Sequence, residues 1–446
     1  STCQWIRLLR AFTRLTCDLA NISRRPLAVN VWQLRMRPFA QFRCSEAKVV
    51  YLVGYHLTSV SMLDSWPTER RPQPRLSRAS TILEHTMHSR ERLKTALDHR
   101  VPDRVPMMMS ANPWVIEKLK QRLQVNTDRE LLQAMHLDLF DMRGFDYKGA
   151  VGPRYVGPGH MNIPATWCGD PLPLFGYHEV ITETPFGKAW SMGAPPLAAL
   201  NTIEALKHYP WPQADWFDYA NVRRDLEPWA ADFAIALTGP SIFQHATLCR
   251  GVGQLLLDMA ADPDLTTFIL DRFFDFYFEY TRRILEAAGG LIDIVRLADD
   301  IGAENALLVS PRMIRRYFGH RISSFADLAH QHNAKLLFHT DGNVRQIIPD
   351  LIAWGVDILD PVQPEVAAMN HRALKTEYGD RLSFSGGVSA QRILPTGSVD
   401  DVKAEARRVI AELGAGGGYI LSPGHPSFQS DVPIDNILAM YSVGLE

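Results

Sequence analysis

The chain has 446 residues, longer than most single domains but within the range of an α/β barrel, and its 46% hydrophobic and 22% charged content is that of a globular protein. No apolar run approaches the ~20 residues needed to span a bilayer; the longest, at 49–57, is broken by Gly54 and His56. The formal charge of −2 is unevenly spread: residues 1–80 hold 13 of the 47 Lys and Arg and four of the 49 acids, net +9, which leaves −11 on residues 81–446. An acidic body argues against nucleic acid as a partner. The five cysteines form no CxxC pair, so the expectation is a reducing, cytoplasmic setting without a disulfide framework.

Residues 1–86 read as a basic extension without sustained periodicity. Pro67, Pro72 and Pro74 lie among Arg70, Arg71, Arg75 and Arg78, the composition of a disordered linker. Such a segment suits an organelle transit peptide, a basic tail for an acidic surface, or sequence translated upstream of the true start. The last is preferred, because Met87 stands two residues before Ser89-Arg-Glu-Arg-Leu, where helical patterning begins. One domain is expected over 87–446.

From Ser89 a capping residue, an early Glu and apolar spacing predict a helix. A short apolar strand is expected at 105–109, helices at about 113–124 and 128–136, and a strand at 137–142. Alternation around Pro185-Phe-Gly predicts a β-hairpin excursion over about 180–191. A strand at 233–238 follows. Asp262-Pro263 then starts a long aromatic helix that stops at Gly289-Gly290, its rings at packing positions. Strands at 291–297, 335–339, 356–359, 382–385 and 419–422 complete the count, with helical patterns such as 345–354 and 402–413 between them. Eight short apolar strands alternating with helices imply a closed (β/α)₈ TIM barrel. The open doubly wound alternative lacks its Gly-rich fingerprint, since Gly416-Gly-Gly418 precedes a strand instead of opening a helix.

In a barrel the chemistry sits at the C-terminal ends of the strands. The polar residues there are Arg143 and Asp146, then Arg296, Asp299 and Asp300, then His339, Asp341 and Asn343, and His425. His339 and Asp341 are two apart and share a face if the strand continues through them. With His425 they could hold a divalent cation, Zn²⁺ first and Mn²⁺ or Fe²⁺ next. The alternative is a metal-free acid–base site in which carboxylates orient the histidines. Asp299 and Asp300 read equally as site residues and as helix caps, and Arg143 and Arg296 as substrate contacts or internal ion pairs.

The residues at 89–106, Pro196-Leu197, Tyr209-Pro-Trp-Pro212, Ala298-Asp-Asp-Ile-Gly302, His339-Thr-Asp-Gly-Asn343, Gly386-Gly387 and 418–433 together resemble the uroporphyrinogen decarboxylase superfamily. The resemblance covers 87–446 and implies a TIM barrel. It implies one of two activities. One is metal-free, cofactor-free decarboxylation of uroporphyrinogen in porphyrin biosynthesis, a lyase reaction. The other is methyl transfer between corrinoid proteins and thiols at a His-x-Cys…Cys zinc site. The decarboxylase pattern has an Arg-rich run after the first strand, where this chain has Met107-Met-Met-Ser-Ala-Asn-Pro-Trp114. His425 resembles the late histidine of the decarboxylases, and Asp146 their pyrrole-binding aspartate. His339 matches the zinc histidine of the methyltransferases, whose cysteines are replaced by Asp341 and His425.

The resulting expectation is methyl transfer to or from a small molecule, with a corrinoid protein as partner and His339, Asp341, His425 and Asp299 as catalytic residues. Arg143, Asp146, Arg296, Asp300 and Asn343 would bind substrate. Decarboxylation of uroporphyrinogen or a related acid is the alternative, and a non-catalytic small-molecule-binding barrel the second. The family also implies a homodimer.

Overall fold

The computed structural model describes residues 86–144, 151–159, 171–425 and 427–446. The expectations for the head, for Asp146 and for Cys168 lie outside the described residues. Among the described residues no helix is long and apolar enough to cross a membrane. Helix α1 (Ser89–Leu97) comes first, then α2 (Pro113–Leu123). The sheet has seven strands: β1 (Leu139–Asp141), β2 (Ala234–Thr238), β3 (Ile294–Ala298), β4 (Lys335–His339), β5 (Ile358–Asp360), β6 (Ser383–Val388) and β7 (Tyr419–Pro423). They pair in chain order and all in parallel. Parallel neighbours need crossovers, and helices such as α3 (Phe243–Arg250), α4 (Pro263–Ala288), α5 (Pro311–Gln331), α6 (His371–Tyr378) and α7 (Val399–Leu413) supply them.

The expected strand at 105–109 is reduced to a single bridge, Met107 to Leu421. It nevertheless fills the eighth position of the barrel. Leu421 N donates to Pro106 O, Met108 N donates to Leu421 O, and Asp138 N donates to Met107 O. The segment thus hydrogen-bonds to β7 on one side and to the residue before β1 on the other. Pro106 has no N–H to offer, which limits pairing at this position. The expected hairpin is present as an antiparallel pair, Val180–Thr184 with Gly187–Ser191.

The closure is clamped by Asp138, which is fully buried. Its carboxylate accepts from Arg92 Nη1 at 2.6 Å, Arg104 Nη1 at 2.7 Å and the backbone N–H of Met107 at 2.8 Å. Arg92 belongs to α1, so one carboxylate joins the plug helix, the closing segment and the start of β1. The apolar side chains of α1 follow: Leu93 and Leu97 pack among Leu139, Ala234, Ile294, Leu337, Ile358 and Ile420 inside the barrel. Burying Leu93 contributes roughly 2 kcal/mol. The N-terminal end of the barrel is therefore shut and its C-terminal end carries the polar groups.

The outer layer packs helices on the strands. Asp262 caps α4 by accepting from Leu265 N, and Gly289 ends it in the left-handed region at φ +57°. The aromatic residues of α4 fill the core, with Phe273 stacked on Phe175 at 4.4 Å between centroids. Cys249 is free and buried, and burial pushes its thiol well above the usual range. It is thus an inert packing residue.

Replacing Asp138 with Ala should lower stability by about 3–5 kcal/mol, because it leaves Arg92 and Arg104 short of their shared counter-charge inside the fold. Urea unfolding of the two proteins measures this; a loss under 1 kcal/mol would rule out the clamp.

Candidate functional site

Strand β4 reads Lys-Leu-Leu-Phe-His, and alternation brings Leu337 and His339 to the barrel interior. His339 stands opposite Asp360 in the register of β4 and β5. Its Nδ1 lies 2.7 Å from Asp360 Oδ2. The same oxygen accepts from Arg296 Nη2 of β3 at 3.2 Å. Burial alone would raise the Asp360 carboxyl, but the charge of Arg296 and the hydrogen bond from His339 outweigh it and hold the group down to about 2. An ionised Asp360 requires the proton of His339 on Nδ1. In the neutral ring Nε2 then presents a lone pair to the barrel mouth.

Two acids meet that lone pair. Asp300 Oδ1, just past β3, lies 3.6 Å from His339 Nε2 and accepts from the backbone N–H of Asp341 at 3.2 Å. One ligand atom each from Asp300, His339 and Asp341 lies within 4.8 Å of the others. Two glycines allow this approach. A Cβ on Gly302 would come within 2.4 Å of Asp341 O, and one on Gly342 within 2.7 Å of Gly302 C. Gly342 also needs φ +88°. The loops carrying the two acids therefore interlock backbone to backbone. Gln244 Nε2 fixes Asp300 by donating to Oδ2 at 2.8 Å, and Gln363 Oε1 fixes the second loop by accepting from Gly342 N at 2.7 Å.

The electrostatics of this group are unresolved by protein alone. Asp341 Oδ1 is buried with no hydrogen-bond partner among the described residues. Burial first, and then the charge of Asp300, push the Asp341 carboxyl above its usual range. An orphaned buried oxygen beside a second carboxylate and an imidazole lone pair fits a divalent cation, which would satisfy all three donors. His425 Nε2 stands 3.9 Å from Asp341 Oδ2, and its Nδ1 is 3.1 Å from Ser427 O.

The remaining predicted residues are placed as follows. His339, Asp341 and Asp300 come together, and His425 flanks them. Asp299 does not join: it is buried, and its Oδ1 accepts from Ser241 Oγ and from the backbone N–H groups of Ile242, Phe243 and Gln244 at 2.7–3.1 Å. It thereby holds the start of α3, and burial pushes its carboxyl up to about 7 against those four donors. Arg143 faces Asp141 at 3.4 Å. The side chain of Asn343 reaches Asn305 O at 3.4 Å and accepts from Arg345 N, bracing the loop. Arg296 pairs with Asp360, the acid that ends the strand expected at 356–359. The signal for it was Ile-Leu-Asp at a strand end.

Asp360→Asn should cost about 3 kcal/mol by leaving Arg296 without a counter-charge, and should weaken any cation at His339 by roughly 10–100-fold. Asp360 is ordinarily at 3.8 and here at about 2, so its contribution is complete above pH 4 and fades as the pH falls toward 2. The native protein should lose about 2 kcal/mol across that window and the variant should not. Equal acid sensitivity of the two in denaturant titrations would contradict this.

Residues 236–444 match the family model described as uroporphyrinogen decarboxylase (URO-D). The methylcobamide:CoM methyltransferase MtaA of Methanosarcina barkeri is 27% identical over 161 residues, 36% of this chain and 43% of that protein. MtaA of M. barkeri strain Fusaro is 25% identical over the same length. The chain thus spans less than half the length of the curated relatives it matches. A solved methyltransferase from Methanosarcina mazei superposes with a TM-score of 0.54 at 19% identity, covering 80% of this chain and 98% of that one. At that identity the likeness establishes the fold, and it agrees with the parallel ring described above. Strand order and family match converge: residues 236–444 carry the uroporphyrinogen decarboxylase-like domain, and the chain is similar to methyltransferases that share this barrel.

Proposed function

We propose that this protein transfers a methyl group between a small oxygen-bearing molecule and a corrinoid protein, at a divalent cation held by Asp300, His339 and Asp341. The observation that carries the reading is the buried, unpartnered Asp341 Oδ1 beside the Asp300 carboxylate and His339 Nε2. Two carboxylates and an imidazole suit Zn²⁺, and after it Mn²⁺ or Fe²⁺. The relatives' activity supports methyl transfer as the reaction.

A cation bound there would act as a Lewis acid on the oxygen that loses or accepts the methyl group. The chain's own residues prepare this. Asp360 keeps the Nδ1 proton of His339 in place, so that Nε2 stays a donor of electrons. Gln244 prevents rotation of Asp300. His425 Nε2, 3.9 Å from Asp341 Oδ2, would take or return the proton of a hydroxyl substrate. Arg296 is tied to Asp360 and Arg143 faces Asp141. Among the described residues these two arginines of the mouth are each matched by an acid, which favours methyl transfer over decarboxylation of a polycarboxylate porphyrinogen.

Elemental analysis of the purified full chain should find about one Zn, Mn or Fe per molecule, and His339→Ala should lose it; equal metal in both proteins, or none in either after refilling, would end the proposal. Because the Asp341 carboxyl is raised and must ionise to bind, cation uptake by stripped protein should release protons and weaken as pH falls. Calorimetry in buffers of different ionisation enthalpy reads this directly.

A further inference from the structure

Beneath the cluster lies a cavity of ≈ 40 Å³ that none of the three proposed ligands lines. Its apolar wall includes Met108, Leu139 and Ile294, and its polar wall includes Thr238 and Arg296. Thr238 and Arg296 are register partners on β2 and β3, so their side chains enter the barrel side by side. Both carry a buried polar atom without a hydrogen-bond partner among the described residues, Thr238 Oγ1 and Arg296 Nε. Thr238 is 8% exposed and the Arg296 side chain 11%. The Arg296 Nη2 edge is taken by Asp360. The acid on the cavity wall, Asp141, is already met by the backbone N–H of Arg143 at 3.0 Å.

We infer that this cavity binds the carboxylate of a small monocarboxylic acid, one oxygen accepting from Arg296 Nε–H and the other from Thr238 Oγ–H. Guanidinium nitrogen donates only, so the vacant Nε–H requires an acceptor, and a charged one strengthens the bond. A carboxylate offers two acceptor oxygens in one plane, whereas an ether or a hydroxyl offers one. The volume is about three times what one water needs, which suits a carboxylate headgroup. The rest of the molecule lies along the methionine and leucine wall. The inference names the substrate class of the methyl-transfer reading and rests on it for the role of the bound acid, though the binding itself does not depend on a cation.

The test is calorimetric titration of the full chain with propionate and with its neutral isostere propionamide, beside Thr238→Val and Arg296→Lys. Valine keeps the shape of threonine without the hydroxyl, and lysine keeps a charge opposite Asp360 without the Nε–H. Propionate should bind, and propionamide should bind at least ~10-fold more weakly. Each variant should lose about 10-fold in propionate affinity, the scale of one charge-assisted hydrogen bond. Equal binding of the two probes, no binding of propionate, or unchanged affinity in both variants overturns the inference. Metal content of the same samples separates the two readings. Bound metal without preference for propionate ends only this inference; preference without metal upholds it and ends the cation-dependent one.

Discussion

The Asp360 carboxylate is shut away from solvent at the end of β5, and a charge in that position must be matched inside the fold. Two side chains match it, one from below and one from beside. Arg296 comes up from the barrel interior and His339 across from the neighbouring strand. Much of the mouth follows from this single match. It sets which nitrogen of His339 faces outward. It draws the guanidinium of Arg296 to one side, which leaves the other edge turned to the cavity. It also gives the cluster of Asp300, His339 and Asp341 a fixed base.

The barrel was legible because its strands are buried on both faces and flanked by clear helix signals. Phe233-Ala-Ile-Ala-Leu-Thr and Lys-Leu-Leu-Phe-His appear within a residue of their expected places. Position 105–109 is different: its pairing consists of a few hydrogen bonds set by Pro106 and by a carboxylate 31 residues away from Met107. A local pattern cannot carry that. The pairing of His339 with Asp341 was also readable, from spacing alone. The sequence left the third partner open between His425 across the mouth and Asp299 or Asp300 after the strand expected at 291–297. Asp300 is the tighter neighbour, because the loops after β3 and β4 interlock through Gly302 and Gly342. Asp299 shows the same limit in reverse. It resembles its neighbour Asp300 in type and place, yet it serves the start of α3, more than fifty residues earlier in the chain.

The donor set separates this chain from a thiolate zinc site of the same general form. Carboxylate oxygens push less electron density onto a cation than thiolates do, so a cation bound here would keep more of its acidity. Such a site is suited to polarising oxygen. The arrangement beneath it is consistent in kind, since an oxyanion acceptor there would face donors without a partner among the described residues. The acid groups, the imidazole and the guanidinium thus form one connected layer from the cavity wall to the outer loops.

The interlocked glycine loops bear on ion selectivity. Backbone contact between Gly302 and the 341–342 segment leaves the two carboxylates little freedom to move apart. A site that cannot widen discriminates by ionic radius. Metal–oxygen distances near 2.0–2.2 Å, as for zinc, suit a narrow clamp, whereas calcium needs 2.3–2.6 Å and more ligands than three side chains give. The same close-packed backbone that brings the acids together would therefore act as a calliper for the proposed cation, favouring small ions over large ones.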